Sequence, residues 1–171
     1  MLFNSYSFIF LFLPLVLAGY YLLGRFGVKA AAGWLAIASL FFYSYWDISF
    51  LPLLLGSIIF NYGTGCLIDK AEGRQRKLWL ALGVVINILL LGYYKYTGFL
   101  LNNINEFLQA GMTVPAIILP IGISFFTFTQ TAYLVDLYRR ETNNTSFVYY
   151  VEFVTIFPHL IAGPIISHKE M

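Results

Sequence analysis

Residues 78–94 read LWLALGVVINILLLGYY, seventeen positions without a charge, held between Arg74-Gln75-Arg76-Lys77 on one side and Lys95 on the other. A bilayer core of about 30 Å is crossed by roughly 17–25 apolar residues in a helix. Cations at both ends, with Tyr93, Tyr94 and Tyr96 beside Lys95, suit the headgroup layers, where aromatic rings and snorkelling lysines settle. The stretch therefore reads as a membrane-crossing helix. Four more uncharged runs surround it, at 1–24, 30–46, 48–68 and 107–135. The chain as a whole is 60% apolar and 11% charged, against about 45–50% and ~25% in soluble domains. That balance excludes a water-soluble enzyme, a disordered tail and a nucleic-acid-binding domain. A transmembrane β-barrel is excluded too, because its strands alternate polar with apolar over segments of ~10 residues.

Working outward gives an all-α, polytopic transmembrane helical bundle. Span 1 is expected at Tyr6 to Leu23, kinked at Pro14. Span 2, Ala30 to Tyr45, opens on small residues that permit close helix approach and closes on an aromatic cluster. Span 3, Phe50 to Ile68, has Pro52 in its first turn. The charged stretch Asp69 to Lys77 reads as a loop. Span 4 covers Leu78 to Tyr94. A separate short amphipathic helix is expected over Phe99 to Ala110; without a basic face it suits protein contact better than a lipid surface. Span 5, Val114 to Leu137, is interrupted by Pro120 and Gly122. The last apolar stretch, Phe147 to Ile166, holds Pro158 and Gly163-Pro164 and reads as a broken or re-entrant segment.

The basic residues report orientation. With the N terminus outside, the inner loops hold Arg25, Lys29, Lys70, Arg74, Arg76, Lys77, Arg139 and Arg140, whereas the outer loops hold Lys95. Such an asymmetry across short loops marks the cytoplasmic side. Residues 1–171 form a single membrane domain with no internal repeat, and the abrupt end at His168-Lys169-Glu170-Met171 is expected of an incomplete, N-terminal part of a larger domain.

Polar side chains at membrane depth need partners. On a helix, Ser124, Thr127, Thr131 and Tyr138 share one face of span 5 with Gln130 beside them. Two roles fit this stripe: interhelical hydrogen-bond glue, or the wall of a polar passage. Asn61 and Asn87 read as the same kind of glue in spans 3 and 4. His159, after Pro158, suits either a proton carrier or a structural histidine donating to a carbonyl freed by the proline. His168 reads as interfacial, Asp136 as a helix-end charge and Cys66 as a small core residue. There is no P-loop, GxSxG, HExxH or paired intramembrane carboxylate, so nucleotide hydrolysis, serine hydrolysis and zinc proteolysis lack support. No metal site is expected.

Four stretches carry a family likeness: MLFNSYSFIFLFLPLVLAGYYLLGR at 1–25, YYKYTGFL at 93–100, LPIGISFFTFTQTAYLVDLYR at 119–139 and FPHLIAGPIISHKEM at 157–171. Together they resemble the membrane-bound O-acyltransferase (MBOAT) family, in the bacterial branch that contains the alginate O-acetyltransferase membrane component. The resemblance implies an inner-membrane enzyme that moves an acyl group, usually acetyl, from a cytoplasmic thioester donor to a hydroxyl of an extracytoplasmic polysaccharide such as alginate. It implies the lipid bilayer, the polysaccharide acceptor and periplasmic or membrane acetylation proteins as partners, no nucleic acid, and no bound cofactor beyond the acyl thioester co-substrate. The family's catalytic histidine is expected after Met171, so no catalytic residue is assigned here and the fragment alone is expected to be inactive. Ser124, Thr127, Gln130, Thr131, Pro158, His159, Gly163 and Pro164 are the candidates for shaping the substrate passage. The alternative of another class is a non-catalytic membrane scaffold or a transporter-like subunit.

Overall fold

Among the six α-helices of the computed structural model, which describes residues 5–108, 113, 115, 117–142 and 146–156, neighbours in sequence run in opposite directions. Helix α1, Leu13–Gly24, grows from a π-helical turn at Phe8–Phe12. Pro14 lacks an N–H, and its ring crowds the carbonyl four residues back; a widened turn before it relieves that conflict. The kink expected in span 1 takes this form. Trp34 on α2, Val28–Trp46, donates its indole N–H to the Val16 carbonyl at 2.9 Å. Its ring lies against Gly19, where a Cβ would collide with it. Phe8 and Phe12 meet Phe42 at ring-centroid distances of 5.5 and 5.6 Å, so α1 and α2 are antiparallel.

Asp47 ends the second helix in an extended conformation and accepts from the Ser49 N–H at 2.9 Å, capping a short 3-10 turn at Ile48–Phe50. Helix α3, Leu51–Lys70, follows with Pro52 in its first turn, where the missing N–H costs nothing. The charged stretch 69–77 is not a loop. Only Ala71 and Glu72 separate α3 from α4, Gly73–Leu108, so Arg74 to Lys77 form the first turns of a helix. A run of charges changes the solvent of a helix without breaking it; proline does that, and none occurs between Gly73 and Leu108.

The separate amphipathic helix also disappears as a unit. Residues 99–108 continue α4, making it 36 residues long, about 54 Å at ~1.5 Å per residue. Gly92 and Gly98 lie within it, each a tolerable cost of about 1 kcal/mol. Phe99 and Phe107 are exposed rather than packed on other described residues. Span 5 starts later than expected: residues 117–120 are irregular, Ile121 and Gly122 turn, and α5 runs Ile123–Tyr138. Gly122 takes φ +72, a left-handed conformation that glycine adopts without a Cβ clash. The final helix, α6, spans Phe147–Thr155; Pro158, Gly163 and Pro164, on which the broken-segment expectation rests, lie outside the described residues.

Two apolar cores hold the bundle. One joins Phe8, Phe12 and Val16 to Ala38 and Phe42. The larger draws Tyr43, Leu54, Ile58, Phe126, Leu134 and Tyr150 from α2, α3, α5 and α6. Helices α1 and α4 lie at opposite edges, α1 against α2 and α4 against α3 and α5. Arg76 in the first turns of α4 donates to the Leu137 carbonyl at the end of α5, and Tyr43 near the end of α2 donates to Ile121 before α5 begins. The three basic groups, Arg25 with Lys29, Lys70 to Lys77, and Arg139 with Arg140, therefore share one end of the bundle.

Candidate functional site

Helical spacing builds the site. Ser57 and Asn61 lie four residues apart on α3, Gly83 and Asn87 four apart on α4, and Thr127 and Gln130 three apart on α5, so each pair shares a face. Small residues let the three helices close. A Cβ on Gly83 would stand 2.6 Å from Leu134 Cδ1 and 3.1 Å from Thr64 Cγ2, and one on Gly65 would stand 2.9 Å from Tyr133 Cε1. Such approach is what small residues permit at interfaces where lipid supplies no hydrophobic drive.

The approach brings four polar side chains together. Asn61 and Gln130 are fully buried, and Asn87 is nearly so. Asn61 Nδ2 donates to Asn87 Oδ1 at 3.1 Å and to Gln130 Oε1 at 2.5 Å; Asn87 Nδ2 returns a bond to Asn61 Oδ1 at 2.6 Å. Gln130 Nε2 donates to Ser57 Oγ at 3.1 Å, and Ser57 Oγ to the Leu54 carbonyl at 2.8 Å. Asn61 and Asn87 also donate to the carbonyls of Ser57 and Gly83, each at 2.9 Å. No member ionises near neutral pH, so the cluster cannot move a proton. It clamps α3, α4 and α5.

The stripe predicted on α5 divides. Gln130 enters the amide cluster. Thr131 instead turns back on its own helix, donating to the Thr127 carbonyl at 2.8 Å. Thr127 is buried, and its Oγ1 has no hydrogen-bond partner. Ser124 lines a hollow of about 440 Å³ with the turn Leu119 to Ile123, near the end of α5 opposite the basic groups. A second hollow, of about 290 Å³, lies between α3 and α4, with Ser57, Asn61 and Asn87 in its lining beside apolar residues that include Phe60 and Ile86. Pro158, His159, Gly163 and Pro164 lie outside the described residues.

Three roles were not part of the sequence reading. Ser57 joins the cluster, a part signalled only by its four-residue offset from Asn61. Arg76 is 8% exposed, reaches Leu137 and lies 6.0 Å from the Tyr138 ring, so it caps the end of α5 where the helix dipole favours a cation. Glu152 is half-buried on α6, the one carboxylate between Phe147 and Ile166. Among the described residues, no three His, Cys, Asp or Glu side chains are placed to hold a metal ion.

Helices of alternating direction, two of them long and apolar enough to cross a bilayer, define a polytopic α-helical membrane protein. Over its whole length the chain is 40% identical to a peptidoglycan O-acetyltransferase of Helicobacter pylori and 43% identical to a probable alginate O-acetylase AlgI of Pseudomonas aeruginosa, covering 38% and 34% of those proteins. A probable alginate O-acetylase AlgI of Azotobacter vinelandii is 40% identical, with 35% of it covered. The chain is homologous to these proteins along its whole length. It spans about a third of the length of the relatives it matches. No family model matches the chain, and no solved structure does.

Proposed function

We propose that the chain serves as part of an O-acetyltransferase of the bacterial inner membrane, with its N terminus outside, that esterifies a hydroxyl of an extracytoplasmic glycan. The observation that carries this reading is whole-chain identity of 40% and 43% to proteins named as acetylases of peptidoglycan and alginate. The donor is an acyl thioester reaching the bundle from the end that holds the basic groups. In the reaction the acceptor oxygen bonds to the acyl carbon, the carbon–sulfur bond breaks, and the hydroxyl proton leaves with the thiol. This alcoholysis needs a positioned base, oriented reactants and donors for the oxyanion. The amide clamp gives a rigid wall, and Ser124 in the hollow before α5 faces the path of the acceptor. The base is the family histidine of a segment beyond Met171, and proteins outside the membrane deliver the glycan.

Deleting the gene that encodes the chain tests the reading. Alkali-labile acetate should fall in either the exopolysaccharide or the peptidoglycan fraction and return on complementation; unchanged acetate in both would overturn it. In the complemented strain, Ser124→Ala, Thr127→Ala and His159→Ala should each lower acetate at normal protein level.

A further inference from the structure

The first turn of α5 offers donors that nothing takes up. Its N-cap, Gly122, makes no side-chain cap, and the Ser124 and Phe125 N–H groups meet no acceptor among the described residues. Both residues line the hollow of about 440 Å³ that Leu119 to Ile123 complete. A helix start left in this way presents free N–H groups and the positive end of its dipole. Thr127 supplies a second, independent observation. Four other threonines turn back on the carbonyl four residues before them, Thr64 on Phe60, Thr129 on Phe125, Thr131 on Thr127 and Thr155 on Val151, at 2.7 to 3.0 Å. Thr127 does not take the Ile123 carbonyl: its Oγ1 is unpaired on a residue only 3% exposed. It lies one turn behind Ser124, and the Cα–Cβ bond of a helical residue tilts toward the N-terminal end, here toward the hollow.

Charge suits an anion here. Gly83 packs on Leu134 between antiparallel helices, so Lys95, twelve residues after Gly83, and Gly122, twelve before Leu134, come to the same height. Among the described residues Lys95 is the one cation at this end of the bundle. Asp47, the acid at this end of α2, accepts from the Ser49 N–H, and Glu106 lies three turns beyond Lys95 along α4. We propose that the hollow holds a carboxylate of the acceptor glycan, which makes acidic glycans the substrate class; this rests on the reading of the chain as part of a glycan O-acetyltransferase. The carboxylate accepts from the Ser124 and Phe125 N–H groups and the Ser124 hydroxyl, and Lys95 balances its charge. Thr127 donates to a polar group that reaches past Ser124. A neutral sugar leaves these donors unpaired, and a site built to hydrogen-bond its substrate rejects an analogue that lacks the partner.

Calorimetry on the whole encoded polypeptide in detergent tests the site, with oligomannuronate and a muramyl peptide as probes, each against its carboxyl methyl ester. At least one free acid should bind about tenfold more tightly than its ester. Lys95→Gln should remove most of that preference. Thr127→Val should weaken binding about three- to tenfold yet leave the melting temperature equal or higher, because valine keeps the shape without the unpaired hydroxyl. Equal binding of acid and ester, no binding of either probe, unchanged affinity in Thr127→Val, or displacement of the acids by phosphatidylglycerol would each overturn the site. Loss of glycan acetate on gene deletion without a carboxylate preference rejects the site and keeps the acetyltransferase reading. A carboxylate preference with glycan acetate unchanged on deletion does the reverse.

Discussion

Asn61 and Asn87, 26 residues apart in sequence, exchange hydrogen bonds across α3 and α4, one amide donating at 3.1 Å and the other at 2.6 Å. Neither has water to fall back on, because both are buried. Asn87→Leu keeps a similar volume and removes both bonds, leaving the Asn61 carbonyl unpaired. It should lower stability by about 1–2 kcal/mol, the range for unpaired buried amides and for interhelical bonds in membranes. Thermal unfolding in detergent measures this. A double-mutant cycle with Asn61→Ala and Asn87→Ala should give a coupling of about 1 kcal/mol; additive losses would show that the pair does not hold the helices together.

Close approach at Gly83 gives a sharper contrast. A methyl there meets Leu134, which is fully buried and has nowhere to swing, so Gly83→Ala should cost about 1–3 kcal/mol despite alanine's better helix propensity. At Gly56 nothing lies within 4 Å of the added atom, and the same change should be neutral or stabilise by up to about 1 kcal/mol. Trimming the neighbour should rescue the first variant: Leu134→Ala ought to cost less in the Gly83→Ala background than alone. Equal costs in the two backgrounds would reject close packing at this crossing.

The grouping of Arg25, Lys70 to Lys77 and Arg139 at one end of the bundle makes a topological prediction. Cysteines at Gly27, Glu72 and Glu141 should be reached by a membrane-impermeant maleimide only after the inner membrane is opened. One at Asn103 should be labelled in intact spheroplasts. The reverse pattern would invert the orientation, and labelling of all four from outside would contradict the bundle.

Much of this architecture was legible because charge is expensive in lipid. The spans read from the uncharged runs locate α2 and α3 to within two residues of their observed bounds, and the basic stretches correctly predict which helix ends lie together. Other features depend on information that hydropathy does not carry. The join of the charged stretch and the amphipathic segment to α4 follows from the absence of a helix breaker, whereas the polarity change suggested a boundary. The late start of α5 follows from Pro120 and Gly122, whose effect on chain direction exceeds that of the apolar residues around them. At the site, Asn61, Asn87 and Gln130 could each be picked out as costly at depth, but their partnership is set by helix rotation and close crossing at Gly65 and Gly83. Thr131 looks like Gln130 in sequence, and only its rotamer sends its hydroxyl back to Thr127.

The turn before α5 offers a test of what aims Ser124 at its hollow. Gly122 sits at φ +72, and its carbonyl accepts the Phe126 N–H at 2.9 Å, starting the helix; Tyr43 fastens the preceding residue by donating to the Ile121 carbonyl at 3.2 Å. Gly122→Ala forces a Cβ into the left-handed region and should cost about 1–2 kcal/mol, while Gly122→Asn should cost less because asparagine tolerates that region. Tyr43→Phe removes only the hydroxyl and should cost about 0.5–1.5 kcal/mol. If the two devices hold one turn, both Gly122→Ala and Tyr43→Phe should speed amide exchange at Ile123 and Ser124 and leave Asn61 and Asn87 protected. Equal acceleration throughout the bundle would mean that Tyr43 and Gly122 stabilise the fold in general and do not aim the start of α5.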